Sequence, residues 1–153
     1  MSAELESILP KMESTHAKFK LFIAGLDGDA VQQPSAGNPW NPREIVGHLL
    51  DAERAHRRFI EAVASGNPPA KVENFDLNAW NAARVAKRAN QSLEELMAAY
   101  DEERAATIKV LQALPDDAWA KSGDHAALGH QTVEYVARII GLHERAHMQE
   151  MLG

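Results

Sequence analysis

Apolar residues in this chain recur at three- and four-residue intervals along four long stretches. That spacing lines one face of an α-helix, and it narrows the possible folds more than any other feature. The first stretch, about residues 4–26, carries Leu5, Ile8, Leu9, Met12, Phe19, Phe22, Ile23 and Leu26. Pro10 lies inside it, so the regular helix is expected to begin there or to bend. The second opens on Asn41-Pro42-Arg43-Glu44: Asn41 can cap, Pro42 suits the first turn, and Glu44 can reach back to the cap. Its stripe is Ile45, Leu49, Ala52, Phe59, Ile60 and Val63, and Ser65-Gly66-Asn67-Pro68-Pro69 ends it. A capping box at Ser92 and Glu95 starts the third, which continues through Leu96, Tyr100, Ile108 and Leu111 until Pro115 stops it. The fourth, about 132–152, aligns Val133, Val136, Ala137, Ile140, His143, His147, Met148 and Met151 on one face.

The intervening segments read differently. Residues 27–40 hold Gly28, Pro34, Gly37 and Pro39 and read as loop. Residues 70–91 suggest a short helix or ordered loop crossing the bundle, and 116–131 a further loop. β-branched runs of period two are lacking, so an antiparallel or mixed sheet is not expected. The expectation is an all-α four-helix bundle with long inter-helix connections, residues 1–153 forming a single domain.

Composition removes several functions. Sixteen Lys and Arg against 22 Asp and Glu give a formal charge of -6, so a basic surface for nucleic acid has no support. No apolar run approaches the roughly 18 residues of a membrane span. The acidic start, Met-Ser-Ala-Glu-Leu-Glu, lacks a signal-peptide core, and a cytoplasmic location is expected. There are no cysteines, which excludes disulfides, thiolate metal sites and cysteine nucleophiles.

The histidines carry the chemical signal. His143 and His147 are four residues apart, so their rings share a helix face and can grip one metal ion. On spacing alone, two core histidines bonded to carboxylates or carbonyls explain the pair equally well. His48 tips the balance. It lies two turns into the second helix, and antiparallel packing of the second and fourth helices would bring all three rings to one end of the bundle. Asp51, one turn on, can orient a ligand ring or join the shell. Glu144 can serve as a general base. Both are read first as solvated helix acids and only second as catalytic candidates. His56 is eight residues from His48, about 12 Å along the axis, and is assigned to core packing. His16 is expected on the surface or a helix face. His125 and His130 precede the fourth helix, where either can line a pocket mouth, solvated rings being the commoner case. His143-Glu144-x-x-His147 also spells the zinc-peptidase HExxH string. Those enzymes take a third ligand downstream, and here the sequence stops at Gly153 without the strands that border such a cleft, so that reading is set aside.

The chain resembles the DinB-like superfamily, which includes the bacillithiol-transferase-like metal-dependent hydrolases. The resemblance spans nearly the whole length. It is carried by Trp40 through Arg54 with His48 inside, by Ser92-Leu93-Glu94-Glu95-Leu96 through Leu114-Pro115, and by Gly129-His130-Gln131-Thr132-Val133 with His143-x-x-x-His147. It implies a divalent metal, often zinc or nickel, held by His48, His143 and His147 with water completing the shell, and frequent homodimers. Glu150 stands where many relatives carry glutamine. Characterised relatives include thiol S-transferases and a mycothiol-dependent isomerase. The leading expectation is therefore a metal-dependent enzyme acting on a small molecule, as a low-molecular-weight-thiol S-transferase, with Trp40, Phe75, Trp80 and Arg84 as candidate pocket residues. A metal-dependent hydrolase of an ester or amide, and a non-catalytic stress-linked metal-binding module with Asp51 as a fourth ligand, stand beside it.

Overall fold

The computed structural model, which describes residues 2–153, contains α1 (Ala3–Ala24), α2 (Gly28–Gln32), α3 (Pro42–Ala64), α4 (Leu77–Lys87), α5 (Leu93–Ala113) and α6 (Val133–Leu152). Each long helix starts where a side chain satisfies a free N–H. Ser2 accepts from Leu5 N, Ser92 from Glu95 N and Thr132 from Tyr135 N. At α3 the capping box is complete: Asn41 accepts from Glu44 N at 2.8 Å, and Glu44 accepts from Asn41 N at 3.1 Å. α1 starts before Pro10 and runs through it unbroken, so the helix neither begins nor ends there.

The apolar stripes meet in two cores. Leu5 and Ile8 from the head of α1 share one core with Phe59 and Val63 from the tail of α3, Leu111 from the tail of α5 and Val133 from the head of α6. The other joins Phe19 and Ile23 to Ile45, Leu49, Leu96 and Tyr100. Helices α1 and α6 therefore run one way, and α3 and α5 the other. α6 packs against both α1 and α3, and α3 against both α6 and α5. The last helix in sequence thus packs beside both the first and the second long ones, completing the expected four-helix bundle.

Between the cores lies a buried charged layer with a member from each long helix: His16, Glu53, Arg104 and Glu144. Arg104 donates to Glu53 at 2.8 Å and to Glu144 at 3.2 Å. Tyr100 Oη and His16 Nδ1 each donate to Glu144 Oε2 at 2.7 Å, and His16 Nε2 faces Asp101 at 2.8 Å. Of the two places expected for His16, the surface is thus excluded: it is buried on the inward face of α1. A polar group at a helix midpoint shows its neighbours only once the helices pack.

Two connections carry more structure than expected. Segment 27–40 contains the one-turn α2, capped by Asp27. Segment 116–131 holds a 3-10 turn, Asp116–Ala120, and a β-hairpin of β1 (Ser122–His125) and β2 (Gly129–Thr132). Ser122 pairs antiparallel with Thr132, and His125 with Gly129. The expectation of no antiparallel pairing fails here. Strands of four residues built from Ser, Gly, Asp, His, Gln and Thr offer no alternation to read. The hairpin lies tight on α3: a Cβ on Gly123 would stand 2.9 Å from Val63 Cγ2. Among the described residues no helix is long and apolar enough to cross a membrane.

Candidate metal centre and its cavity

α3 and α6 run antiparallel, and this brings the start of one beside the end of the other. His48 Nε2 lies 3.2 Å from His143 Nε2, which lies 3.0 Å from His147 Nε2. All three nitrogens fall within 4.8 Å of one another. Three nitrogens on one face of a tetrahedral ion with metal–N bonds of about 2.0–2.1 Å are roughly 3.3–3.4 Å apart. The protein alone leaves this cluster under-satisfied. A ring nitrogen carries either one proton or one lone pair, so His143 Nε2 cannot bond fully to both neighbours. A cation at the centre would take all three lone pairs, and the triad can hold a divalent ion.

The surroundings favour the neutral, ligating form. Burial, then the neighbouring His147, push His48 down to about 4. Burial, then His147, His48 and His56, push His143 to about 2. His147 Nδ1 donates to Glu150 Oε2 at 2.8 Å, which leaves its Nε2 as the lone-pair nitrogen turned to the cluster. Asn38 Nδ2 donates to the same carboxylate oxygen at 2.8 Å, and Gly37 N to the Glu150 carbonyl at 2.9 Å. The loop before α3 is thereby pinned to the end of α6. The i, i+3 spacing of His147 and Glu150 was the available signal for this orienting carboxylate.

The triad borders a cavity of about 420 Å³. Trp40, Phe75, Leu77, Trp80, Leu128 and Ile139 make it largely apolar, and His56, His125 and Asn81 add polar groups. The Trp40 ring centroid is 5.2 Å from that of His48. A larger groove between α1 and α6, about 540 Å³, contains no such convergence of ligating groups.

Of the expected pocket residues, Trp40, Phe75 and Trp80 line the cavity. Arg84 instead donates to Asp51 at 2.9 Å. Asp51 is no solvated acid: it is buried and also binds Arg88 Nε and Nη2, each at 2.8 Å. Burial raises its carboxyl, but the hydrogen bonds from Arg88 and Arg84 outweigh this and hold it below the ordinary range. Its oxygens lock α4 onto α3 rather than orienting a histidine. Glu144 is likewise fully buried in the charged layer, rotated about 100° around α6 from His143 and bonded to Arg104. Both acids depart from the solvated expectation because arginines on neighbouring helices claim them. His130 is exposed and pairs with Asp124 and Ser122 across the hairpin. His56 and His125 are buried against each other, Nδ1 to Nε2 at 2.9 Å, and both face the cavity. Burial, then His125 and His48, hold His56 near 3.

No curated protein matches this sequence. Solved structures do share the fold. A mycothiol-dependent maleylpyruvate isomerase superposes with a TM-score of 0.81 at 13% identity, covering 96% of this chain and 60% of the isomerase. The present chain thus spans about three fifths of that protein's length. YfiT from Bacillus subtilis, described as a probable metal-dependent hydrolase with an unusual four-helix bundle topology, gives a TM-score of 0.81 at 18% identity, covering 99% of this chain and 86% of YfiT. The sequence model of the DinB superfamily matches residues 11–151, a span that contains α3, α4, α5, all but the last residue of α6, and all three clustered histidines. On that match, and on the bundle it accompanies, the chain belongs to the DinB superfamily.

Proposed function

We propose that this protein is a divalent-metal-dependent enzyme that transfers a low-molecular-weight thiol to a small electrophile bound in the cavity. His48, His143 and His147 are the ligands, Glu150 orients His147, and zinc or nickel is the ion. The observation that carries the reading is the convergence of three Nε2 atoms, two pairs of them 3.0 and 3.2 Å apart, at the edge of a 420 Å³ cavity. When bound, a divalent ion supplies Lewis acidity and makes a nucleophile available near neutral pH. The chain's own residues do the rest. The low-lying His48 and His143 keep their lone pairs free at neutral pH. Trp40, Phe75 and Trp80 exclude water and hold an apolar body beside the triad. A homodimer is part of this reading, on the strength of the family resemblance.

The alternative is hydrolysis of an ester or amide at the same site, in line with what YfiT is described to be. The two separate cleanly. The metal-loaded protein is screened against electrophiles with and without low-molecular-weight thiols. Turnover that requires thiol supports the transferase. Turnover that proceeds equally without it rejects the transferase in favour of the hydrolase.

A further inference from the structure

The hydrogen bonds around His125 fix the position of a proton on its neighbour. His125 Nδ1 accepts from the backbone N–H of Ala127 at 3.1 Å and of Leu128 at 3.2 Å. A ring nitrogen that accepts carries no proton, so the proton of His125 sits on Nε2. That nitrogen is 2.9 Å from His56 Nδ1. His125 therefore donates, His56 Nδ1 accepts, and the proton of His56 is placed on its own Nε2. The turn of the β-hairpin thus determines which edge of His56 is the donor. His56 Nε2 has no hydrogen-bond partner among the described residues. The ring lines the cavity, with its centroid 6.3 Å from that of His143.

His56 Nε2 is not sealed into the core: it is open to the cavity, where solvent or a ligand can meet it. One end of the histidine pair is fully engaged and the other is presented to the cavity. A second group in the same cavity is also unpaired: Asn81 Oδ1 is buried with no partner among the described residues. The remaining wall is mostly aromatic and aliphatic. Such a cavity takes a ligand with an apolar body and polar groups: the group that meets the His56 N–H must be an acceptor, and the one that meets Asn81 Oδ1, itself an acceptor, must be a donor.

We propose that His56 is a substrate-binding residue whose Nε2–H donates to a carbonyl or carboxylate oxygen of a small molecule seated against Trp40, Phe75 and Trp80, and that His125 is the positioning residue that holds His56 in this donor tautomer. The proposal rests on the reading of the cavity as a substrate site. It deepens that reading by naming the substrate class. With the opposite tautomer His56 would offer a lone pair and select donor groups instead, so the hairpin sets the polarity of recognition.

The test uses the full chain without added metal, which keeps it independent of metal uptake, and the His56 and His125 variants leave the triad that lines the same cavity unchanged. Ring nitrogen NMR of the wild type reads the tautomers directly, and Nε2–H at both His56 and His125 is expected. Tryptophan fluorescence then follows binding of benzoate, an apolar ring bearing acceptor oxygens, and of benzylamine, the same ring bearing only donors. Benzoate should bind in clear preference to benzylamine. His56→Phe keeps the ring shape and should weaken benzoate about ten-fold. His125→Leu should weaken it by releasing the tautomer, and His125→Gln, whose amide N–H can reach His56 Nδ1, should recover most of the loss. A proton found on His56 Nδ1 overturns the proposal, whatever the variants do. So does benzoate binding that is absent, or equal in wild type and His56→Phe. Benzoate selectivity in a protein that never takes up metal supports the proposal and removes the metalloenzyme reading alone. Metal uptake without benzoate binding removes the proposal and leaves that reading standing.

Discussion

The two ring nitrogens of His147 have different tasks. Nδ1 is spent on Glu150, and Nε2 faces the triad. Removing the carboxylate by Glu150→Ala should leave the bundle folded and lower metal affinity about ten- to a hundred-fold, as loss of an orienting partner does elsewhere. Competition for zinc with a chelator measures this, and unchanged affinity would contradict the assigned role. At this scale the sequence was readable where the relation was local. His143 and His147 are one turn apart on one helix, and His48 needed only the assumption that α3 and α6 pack antiparallel. Relations across helices were not readable. Asp51, Glu144 and His16 each sit at an ordinary helix position. Nothing in their own segments announces Arg88, Arg104 or Asp101 waiting on another helix. Glu150 is a different case: its spacing from His147 was local, yet it signified only a departure from relatives until Asn38 appeared on its other side.

Among the elements, α4 and the hairpin decide the cavity. α4 supplies Leu77, Trp80 and Asn81, and it is fastened to α3 through Asp51 with Arg84 and Arg88. Asp51→Ala strands both guanidinium groups. It should cost about 2–3 kcal/mol, less than a wholly buried pair because the arginines keep some solvent contact. Urea unfolding measures the loss. A variant as stable as wild type would show that the clamp contributes nothing. The long helices were legible because caps and stripes repeat over twenty residues. The hairpin was not, since each strand has four mostly polar residues and draws its order from packing on Phe59 and Val63 of α3. Its contribution to the cavity, His125, was accordingly visible only as a loop histidine.

Over the whole molecule, two apolar cores flank a charged layer, and several histidines are buried in neutral form. This sets the response to acid. His48, His56 and His143 have folded values near 4, 3 and 2, all below the 6.5 of the unfolded chain. Below about pH 6.5 the unfolded state takes up protons that the fold refuses. Stability is therefore full above that pH and falls as pH drops, by up to about 1.4 kcal/mol per pH unit for each histidine. Urea midpoints of the metal-free protein should decline steadily from pH 7 to 4.5, and a flat profile would contradict the buried neutral rings. The central claim concerns the same rings: antiparallel α3 and α6 bring three histidines into one metal site. Elemental analysis of protein purified without a nickel column or chelator tests it most directly, comparing wild type with His48→Ala. Near-stoichiometric divalent metal in wild type, lost in the variant while the helical signal persists, is the predicted result. Wild type that takes up no metal even after incubation with zinc or nickel, or a variant that retains it in full, would contradict the account.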